Sequence, residues 1–401
     1  MAKIVQHSIT PPLDPETNLN VRNSLNYYVV LPQGYKETEP RGFVFTITGY
    51  GSTADDEYYK NKLNTYIADK YGFIVAGVRY HNDARTTPQL KVNLDGLTAF
   101  YQLPKNYFTS NVNIIEKLHD LLISRKLFRI DPQCAVQADA FHKYSSFGFM
   151  PAIDHLYVLH DILGKYAIDK RFISILGTSY GGYIASVMGK YAPYTFSLII
   201  NNSGFSVAQL AEILGSKMGV ASGSFVKYSR GIRHEVSFAA STIWELDEMS
   251  PFYFSDAHKK IRNLLLENHR VASQTVYCHF HSVRDIIAPV KYKDMECEIL
   301  KKYNYVYYKK IESEKDIDGE LFKDMNHGMN ASLRNLFDYS YRRYLESKIT
   351  KDPETDFDLE SMYGFECSDK EYIFRYSDQG VKVEIKDLTE IPDSKITFLS
   401  Q

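Results

Sequence analysis

Short apolar runs rich in β-branched and aromatic residues recur along this chain, separated by stretches whose apolar positions repeat with helical spacing. Runs at 26–31, 43–47, 73–78, 172–176, 197–200, 275–280 and 303–311 include several that are almost continuously apolar, as parallel strands buried on both faces require. Helical spacing fits 57–70 and 112–126, the latter carrying Ile114, Ile115, Leu118, Leu121 and Leu122. The alternation predicts an α/β fold, a mostly parallel central sheet with helices on both faces. Three stretches exceed it: 81–149, with turns, one helix and little strand signal; 205–269, read as a helical insertion; and the tail. In the tail an acidic loop at 351–358 precedes a hairpin, 372–376 and 381–385, across Ser377-Asp-Gln-Gly380. The expected organisation is one domain over 1–349 with insertions 81–149 and 205–269, the second a lid candidate, and a C-terminal appendage over 350–401.

Composition narrows the class. Hydrophobic residues at 44% and charged residues at 24% belong to a folded chain. Lys and Arg number 47 against 49 Asp and Glu, a net charge of −2, and no basic block stands out, so no nucleic-acid partner is expected. Cys134, Cys278, Cys297 and Cys367 form no C-x-x-C pair, which removes finger-type zinc and redox motifs and fits reduced cytosolic thiols. The first residues lack the apolar stretch of a signal peptide, and no apolar run approaches the roughly 18 residues of a membrane span. A cytoplasmic location without a membrane span is expected. Tyrosine occurs 32 times and tryptophan once, which suggests many half-buried rings in strands and pocket walls.

The sharpest local signal is Gly177-Thr-Ser179-Tyr-Gly181-Gly182, set between an apolar strand and a helix-compatible run. That strand–turn–helix context is what a nucleophile elbow requires: a serine on a sharp, strained turn, with glycines where a side chain would collide. A nucleophilic serine needs a histidine to take its proton and a carboxylate to orient that histidine. After the strand at 275–280 comes His281-Ser-Val-Arg-Asp285-Ile-Ile-Ala-Pro289, which makes Asp285 the candidate acid. His327 is the one histidine downstream of Asp285, so it is the candidate base. Asp324 lies nearer His327 in sequence and competes with Asp285. Acyl transfer also needs two preorganised N–H donors for the oxyanion. These are expected from the backbone of Tyr180, after the nucleophile, and of Tyr50 in Thr48-Gly-Tyr50-Gly51, after the strand at 43–47; Gly51 is the second choice and a candidate pocket residue. Trp244 is a further pocket candidate, with core packing of a lid helix as its competing role. His279 and His281 alternate on one strand face without a carboxylate partner, so no metal site is assigned, and His119, His155 and His160 are read as solvated helix positions.

With these residues in place, the chain resembles the α/β-hydrolase superfamily over roughly 26–346. Its elbow, Gly-Thr-Ser179-Tyr-Gly-Gly, is similar to that of prolyl-oligopeptidase-like serine hydrolases and related esterases. The acid segment through Asp285 and the loop Asn326-His327-Gly328 are similar to theirs. Ser282 stands where that acid motif usually carries glycine, and no β-propeller precedes the hydrolase-like region, a departure that weighs against a peptidase. The long insertion after Val78 and the C-terminal hairpin resemble those of an uncharacterised bacterial hydrolase family of unknown function. The resemblance and the residues together imply a serine hydrolase that cleaves a carboxylic or acyl-sugar ester through a Ser179–His327–Asp285 triad and an acyl-enzyme. No cofactor is implied, because the triad supplies its own nucleophile and base; the expected partner is a small acyl or ester substrate. An acyltransferase or peptidase would use the same groups, and a non-catalytic binding protein is the alternative of a different class.

Overall fold

The computed structural model describes residues 2–50, 52–83, 90–108, 113–130, 136–138, 144–221, 223–240 and 242–388. They divide into two compact units: 1–84 with 148–208 and 256–401, and 85–147 with 209–255.

The first unit is built on eight strands: β1 (Lys3–Ile9), β2 (Leu25–Leu31), β3 (Arg41–Ile47), β4 (Ile74–Val78), β5 (Ile168–Thr178), β6 (Leu198–Asn202), β7 (Val276–Ser282) and β8 (Tyr305–Ile311). Their order across the sheet is β1-β2-β4-β3-β5-β6-β7-β8. β2 pairs antiparallel with both β1 and β4, and the remaining neighbours are parallel. The central strands β3, β4, β6 and β7 are buried almost throughout, which is why they read as near-continuous apolar runs. Helices α1 (Asn64–Tyr71), α2 (Phe149–Lys165), α3 (Tyr180–Tyr191), α4 (Val290–Leu300) and α5 (Leu333–Ser347) flank the sheet. α1 and α5 close one core with Val44, Val75, Leu198, Ile200, Val276, Cys278 and Phe280.

Two elements of this unit carry weak sequence signals. β1 is half exposed along its length, and pairing with β2 is what makes it a strand. The tail hairpin expected at 372–385 is joined by a third strand, so β9 (Met362–Cys367), β10 (Lys370–Ser377) and β11 (Gly380–Asp387) form an antiparallel sheet. Its inner residues Phe365, Tyr372, Phe374 and Tyr376 are buried: Phe374 stacks on Tyr191 of α3 at 4.3 Å, and the Tyr376 hydroxyl donates to the Tyr191 carbonyl at 2.9 Å. The tail is therefore part of this unit's core.

The second unit differs from the helical insertions expected. Strands Gly223–Ser229 and Ile232–Ala240 form a hairpin that continues through 136–138 to 90–92, with 129–130 paired alongside. The hairpin has alternating polar and apolar residues around a turn at Arg230 (φ 50°) and Gly231 (φ 78°), a period-2 pattern that the neighbouring helix 210–218 obscures. Its core gathers Leu97, Leu118, Leu121, Leu122, Ile130, Val236 and Phe238. Trp244 is 1% exposed, packs edge-on against Tyr144 and Phe254, and donates from Nε1 to the Ser145 carbonyl at 3.1 Å. It fills the interior of this unit rather than an open pocket wall, and it does so from a stretch without helix rather than from the lid helix expected. His119 and His155 are likewise buried rather than solvated. His119 bonds the Phe225 carbonyl, and His155 lies between the Phe45 and Tyr80 rings with Nδ1 2.7 Å from the Pro151 carbonyl.

Burial pushes the imidazoles of His155 and His281 down to about 4 and that of His279 to about 3. These are bases with folded-state pKa values below the unfolded value of about 6.5. The unfolded chain therefore takes up protons first, and stability falls as pH drops below about 6.5. Between pH 7 and 5, before carboxylates titrate, each histidine is expected to remove on the order of 2 kcal/mol. Urea midpoints across that window check this, and a flat profile would contradict the burial of neutral rings.

Candidate active site

The sharp turn between β5 and α3 follows from two glycines. A Cβ on Gly177 would lie 2.2 Å from the Gly181 carbonyl oxygen, and one on Gly181 would lie 2.2 Å from that of Ile47. Neither backbone contact can relax around a side chain, so strand and helix reach this proximity with glycine at both positions. Ser179 between them holds φ 54° and ψ −122°, a conformation that costs about 1–3 kcal/mol. Two backbone bonds fix it: Ser179 N–H donates to the Asn202 carbonyl at 2.7 Å, and its own carbonyl accepts from Tyr183 N–H at 3.1 Å. Buried Asn201 wedges α3 in place, donating from Nδ2 to the Gly182 carbonyl and Ser186 Oγ and accepting the Gly204 N–H.

From this turn a hydrogen-bonded relay runs through His327 to Asp285. Ser179 Oγ is 2.7 Å from His327 Nε2, and His327 Nδ1 is 2.8 Å from Asp285 Oδ2. A carboxylate only accepts, so Nδ1 carries the proton and the Nε2 lone pair faces the serine hydroxyl. Asp285 lies past β7, buried, with Oδ1 accepting the N–H groups of Ile287 at 3.0 Å and Ala288 at 2.9 Å. Burial alone would raise its carboxyl pKa, but the bond from His327 and the Ala288 N–H outweigh it and hold the group below the usual carboxylate range. Asp324, the nearer candidate in sequence, accepts the N–H of Asn326 and so closes its own turn.

The surroundings explain how the loops keep this geometry. His281 donates from Nε2 to the Ala288 carbonyl at 2.6 Å and lies 3.5 Å from Asp285 Oδ2, closing the acid loop from beneath. Ser282 donates to the Met325 carbonyl at 2.7 Å and accepts the Arg284 N–H at 3.1 Å. The first bond ties acid loop to histidine loop, which the glycine expected here could not do. The sequence offered one signal for such brackets: polar residues at the buried ends of apolar strands, as in Leu198-Ile-Ile-Asn-Asn202 and Phe280-His-Ser282.

Of the expected oxyanion donors, Tyr180 opens α3, where the first N–H groups have no intrahelical acceptor. The Tyr50 ring stacks on the Tyr180 ring at 4.0 Å and 6°. Gly49 beside it comes so close that a Cβ there would be 3.0 Å from Ser179 Cβ, so the loop after β3 borders the Ser179 turn. Gly51 lies outside the described residues. No cluster of three His, Cys, Asp or Glu able to hold a metal ion occurs among the described residues. Among them also, no helix is long and apolar enough to cross a membrane.

A sheet in the order 1-2-4-3-5-6-7-8 with its second strand reversed, carrying a serine elbow after the fifth strand, an acid after the seventh and a histidine after the eighth, defines the α/β-hydrolase fold. Within it, the chain belongs to the family described as "Protein of unknown function (DUF2920)", whose model matches residues 6–385. No curated protein matches the chain by sequence. Among solved structures it is similar to the acylaminoacyl peptidase of Pyrococcus horikoshii, at 13% identity and a TM-score of 0.47, covering 90% of this chain and 44% of that one. It is also similar to a thermostable esterase (15%, 0.40, covering 86% and 62%) and to 2,6-dihydroxy-pseudo-oxynicotine hydrolase (13%, 0.44, covering 87% and 70%). The chain thus spans less than half the length of the peptidase, and the fold is identified by strand order and elbow rather than by these likenesses.

The glycine contacts give a paired prediction. Gly181→Ala is expected to destabilise by more than about 3 kcal/mol, because the clash is with backbone. Gly164→Ala, exposed on α2 with nothing within 4 Å of its Cβ, is expected to stabilise by about 0.5–1 kcal/mol. Urea unfolding of both variants checks the pair, and equal midpoints would refute the packing account of the elbow.

Proposed function

We propose that this protein is a serine hydrolase that cleaves carboxylic or acyl-sugar esters through an acyl-enzyme. The observation that carries the proposal is the unbroken relay from Ser179 Oγ through His327 to a buried, ionised Asp285, mounted on a strained turn. Ser179 attacks the acyl carbonyl as His327 Nε2 takes its proton, and Asp285 holds the imidazole tautomer and stabilises the imidazolium. The oxyanion is stabilised by the backbone N–H groups of Tyr50 and Tyr180. His327 returns the proton to the leaving alcohol, then activates the water that releases the acid. Every proton passes between groups of this chain and the substrate, and no cofactor enters the cycle.

A fluorophosphonate probe is expected to label wild-type protein at Ser179 and to leave Ser179→Ala unlabelled. On an ester that the wild type turns over, Asp285→Asn is expected to lower kcat by about 10³–10⁴ with KM little changed, since the acid orients the base without touching substrate. Full turnover by Ser179→Ala would end the proposal. A panel of short-acyl, long-acyl and acetylated-sugar esters, run beside the matching amides and with added alcohols, defines the substrate. Faster amide cleavage would make it a peptidase, and transfer products in excess of acid would make it an acyltransferase.

A further inference from the structure

β6 ends at Asn202 and Ser203 follows it, both buried, and this dipeptide contacts all three loops of the site. Through its backbone, the Asn202 carbonyl accepts the Ser179 N–H at 2.7 Å, and Ser203 N–H donates to the Phe280 carbonyl of the acid strand at 2.9 Å. Through its side chains it holds the histidine loop. Ser203 Oγ accepts the Gly328 N–H at 3.1 Å, and Asn202 Nδ2 donates to the Gly328 carbonyl at 3.2 Å and to Thr178 Oγ1 at 3.1 Å. The Asn202 amide has one sensible orientation, because the Gly328 carbonyl can only accept. Both peptide groups flanking Gly328, the residue after His327, are therefore clipped to β6.

Two features give the clip meaning. The histidine loop has little regular structure of its own, with left-handed backbone at Gly328 (φ 77°), Met329 (φ 54°) and Asn330 (φ 41°), so it depends on outside bonds for its position. Ser203 itself sits at φ 55°. Glycine or asparagine adopts that conformation with less strain, so it is the hydroxyl that distinguishes serine there.

We infer that Asn202 and Ser203 are positioning residues that set the separation of His327 from Ser179. The inference rests on the reading of those two residues as base and nucleophile. The dipeptide acts on the base through Gly328 and on the nucleophile through the Ser179 N–H and Thr178. The Asn202 Nδ2 group and the Ser203 hydroxyl are both engaged by the protein's own loops.

The test is the rate of Ser179 phosphonylation by a fluorophosphonate probe, in which Oγ bonds to phosphorus and fluoride leaves, separated into its maximal rate and its half-saturation concentration, alongside a urea midpoint. Ser203→Gly removes the hydroxyl and relaxes the backbone. It is expected to unfold at the same or a higher urea concentration yet to be phosphonylated about tenfold more slowly at saturation, with half-saturation unchanged. Asn202→Ala is expected to act in the same direction. In a His327→Gln background Ser203→Gly should have no further effect, because its hydroxyl works through the imidazole loop alone. Wild-type phosphonylation rates in folded Ser203→Gly, or equal slowing with and without His327, would overturn the inference. Should Asn202→Ala fail to fold, Ser203→Gly decides alone. An unlabelled wild type, or a His327→Gln variant labelled as fast as wild type, refutes the hydrolase reading and this inference with it. Slow His327→Gln beside fast Ser203→Gly refutes the inference only.

Discussion

The close approach of β5, α3 and β3 is the constraint from which the rest of the site is measured. Gly177 and Gly181 let the helix start against the strand that precedes it, and Gly181 rests on the carbonyl of Ile47 at the end of β3. One contact thereby brings the loop after β3 beside the Ser179 turn. Close packing also makes the strain in Ser179 sustainable, since α3 is buried along its whole length and cannot unwind without exposing that surface. The acid and histidine loops are then hung from the neighbouring strands, β7 and β8, and the relay spans strands whose spacing the sheet already fixes.

Around this centre the unit relies on tyrosine to bury carboxylates. Tyr27 bonds Asp161, Tyr66 and Tyr71 both bond Asp338, Tyr308 bonds Asp294, Tyr363 bonds Asp356 and Tyr372 bonds Glu16. Each phenol brings a large apolar face and one donor, and at Asp161, Asp338, Asp294 and Glu16 it shares the carboxylate with a cation, Lys165, Lys70, Lys310 and Arg262 respectively. The fully buried pair Arg262–Glu16 shows what this achieves structurally. Glu16 lies between β1 and β2, Arg262 follows the return from the second insertion, and Tyr372 comes from the tail. Arg262 also covers the Phe149 ring, and its carbonyl accepts from Tyr183 of the elbow helix at 2.6 Å. Three distant segments are thus fastened near the helix that follows the Ser179 turn, and for that reason the last sheet does not hang free. Removing Arg262 or Glu16 would leave the other charge buried without its counter-ion, which is far more costly than loss of an exposed pair.

The parts of this arrangement that could be read in the sequence were those encoded over a few adjacent residues. The elbow needs glycine two before and two after the serine, and both stand in the chain. The central strands appear as unbroken apolar runs because both their faces are covered. His327 could be singled out by uniqueness, and Asp285 by its place after a strand. What escaped depends on partners distant in sequence. β1 is a strand because β2 lies beside it. β9 alternates exposed and buried positions too weakly to stand out from the acidic loop before it. His155 on α2 reads as a solvated position until Phe45 and Tyr80, each more than seventy residues away, close over it.

The second unit is the extreme case of that rule. Its sheet pairs 232–240 with 136–138 and 129–130, strands between which the chain runs through residues 148–208 of the first unit. Neither insertion can bury its own apolar face alone, so each looked like an irregular elaboration when considered singly. Their edges are complementary, one supplying a hairpin and the other short strands and the helix at 114–124 that packs on it. Trp244 then becomes intelligible: the chain's single tryptophan closes a core assembled from both insertions, with Tyr144 from one and Phe254 from the other. The chemistry sits on a frame of short-range geometric rules, which one sequence displays openly. The unit that accompanies it is defined by pairing between two segments, and such pairing is a property of the fold that local pattern does not contain.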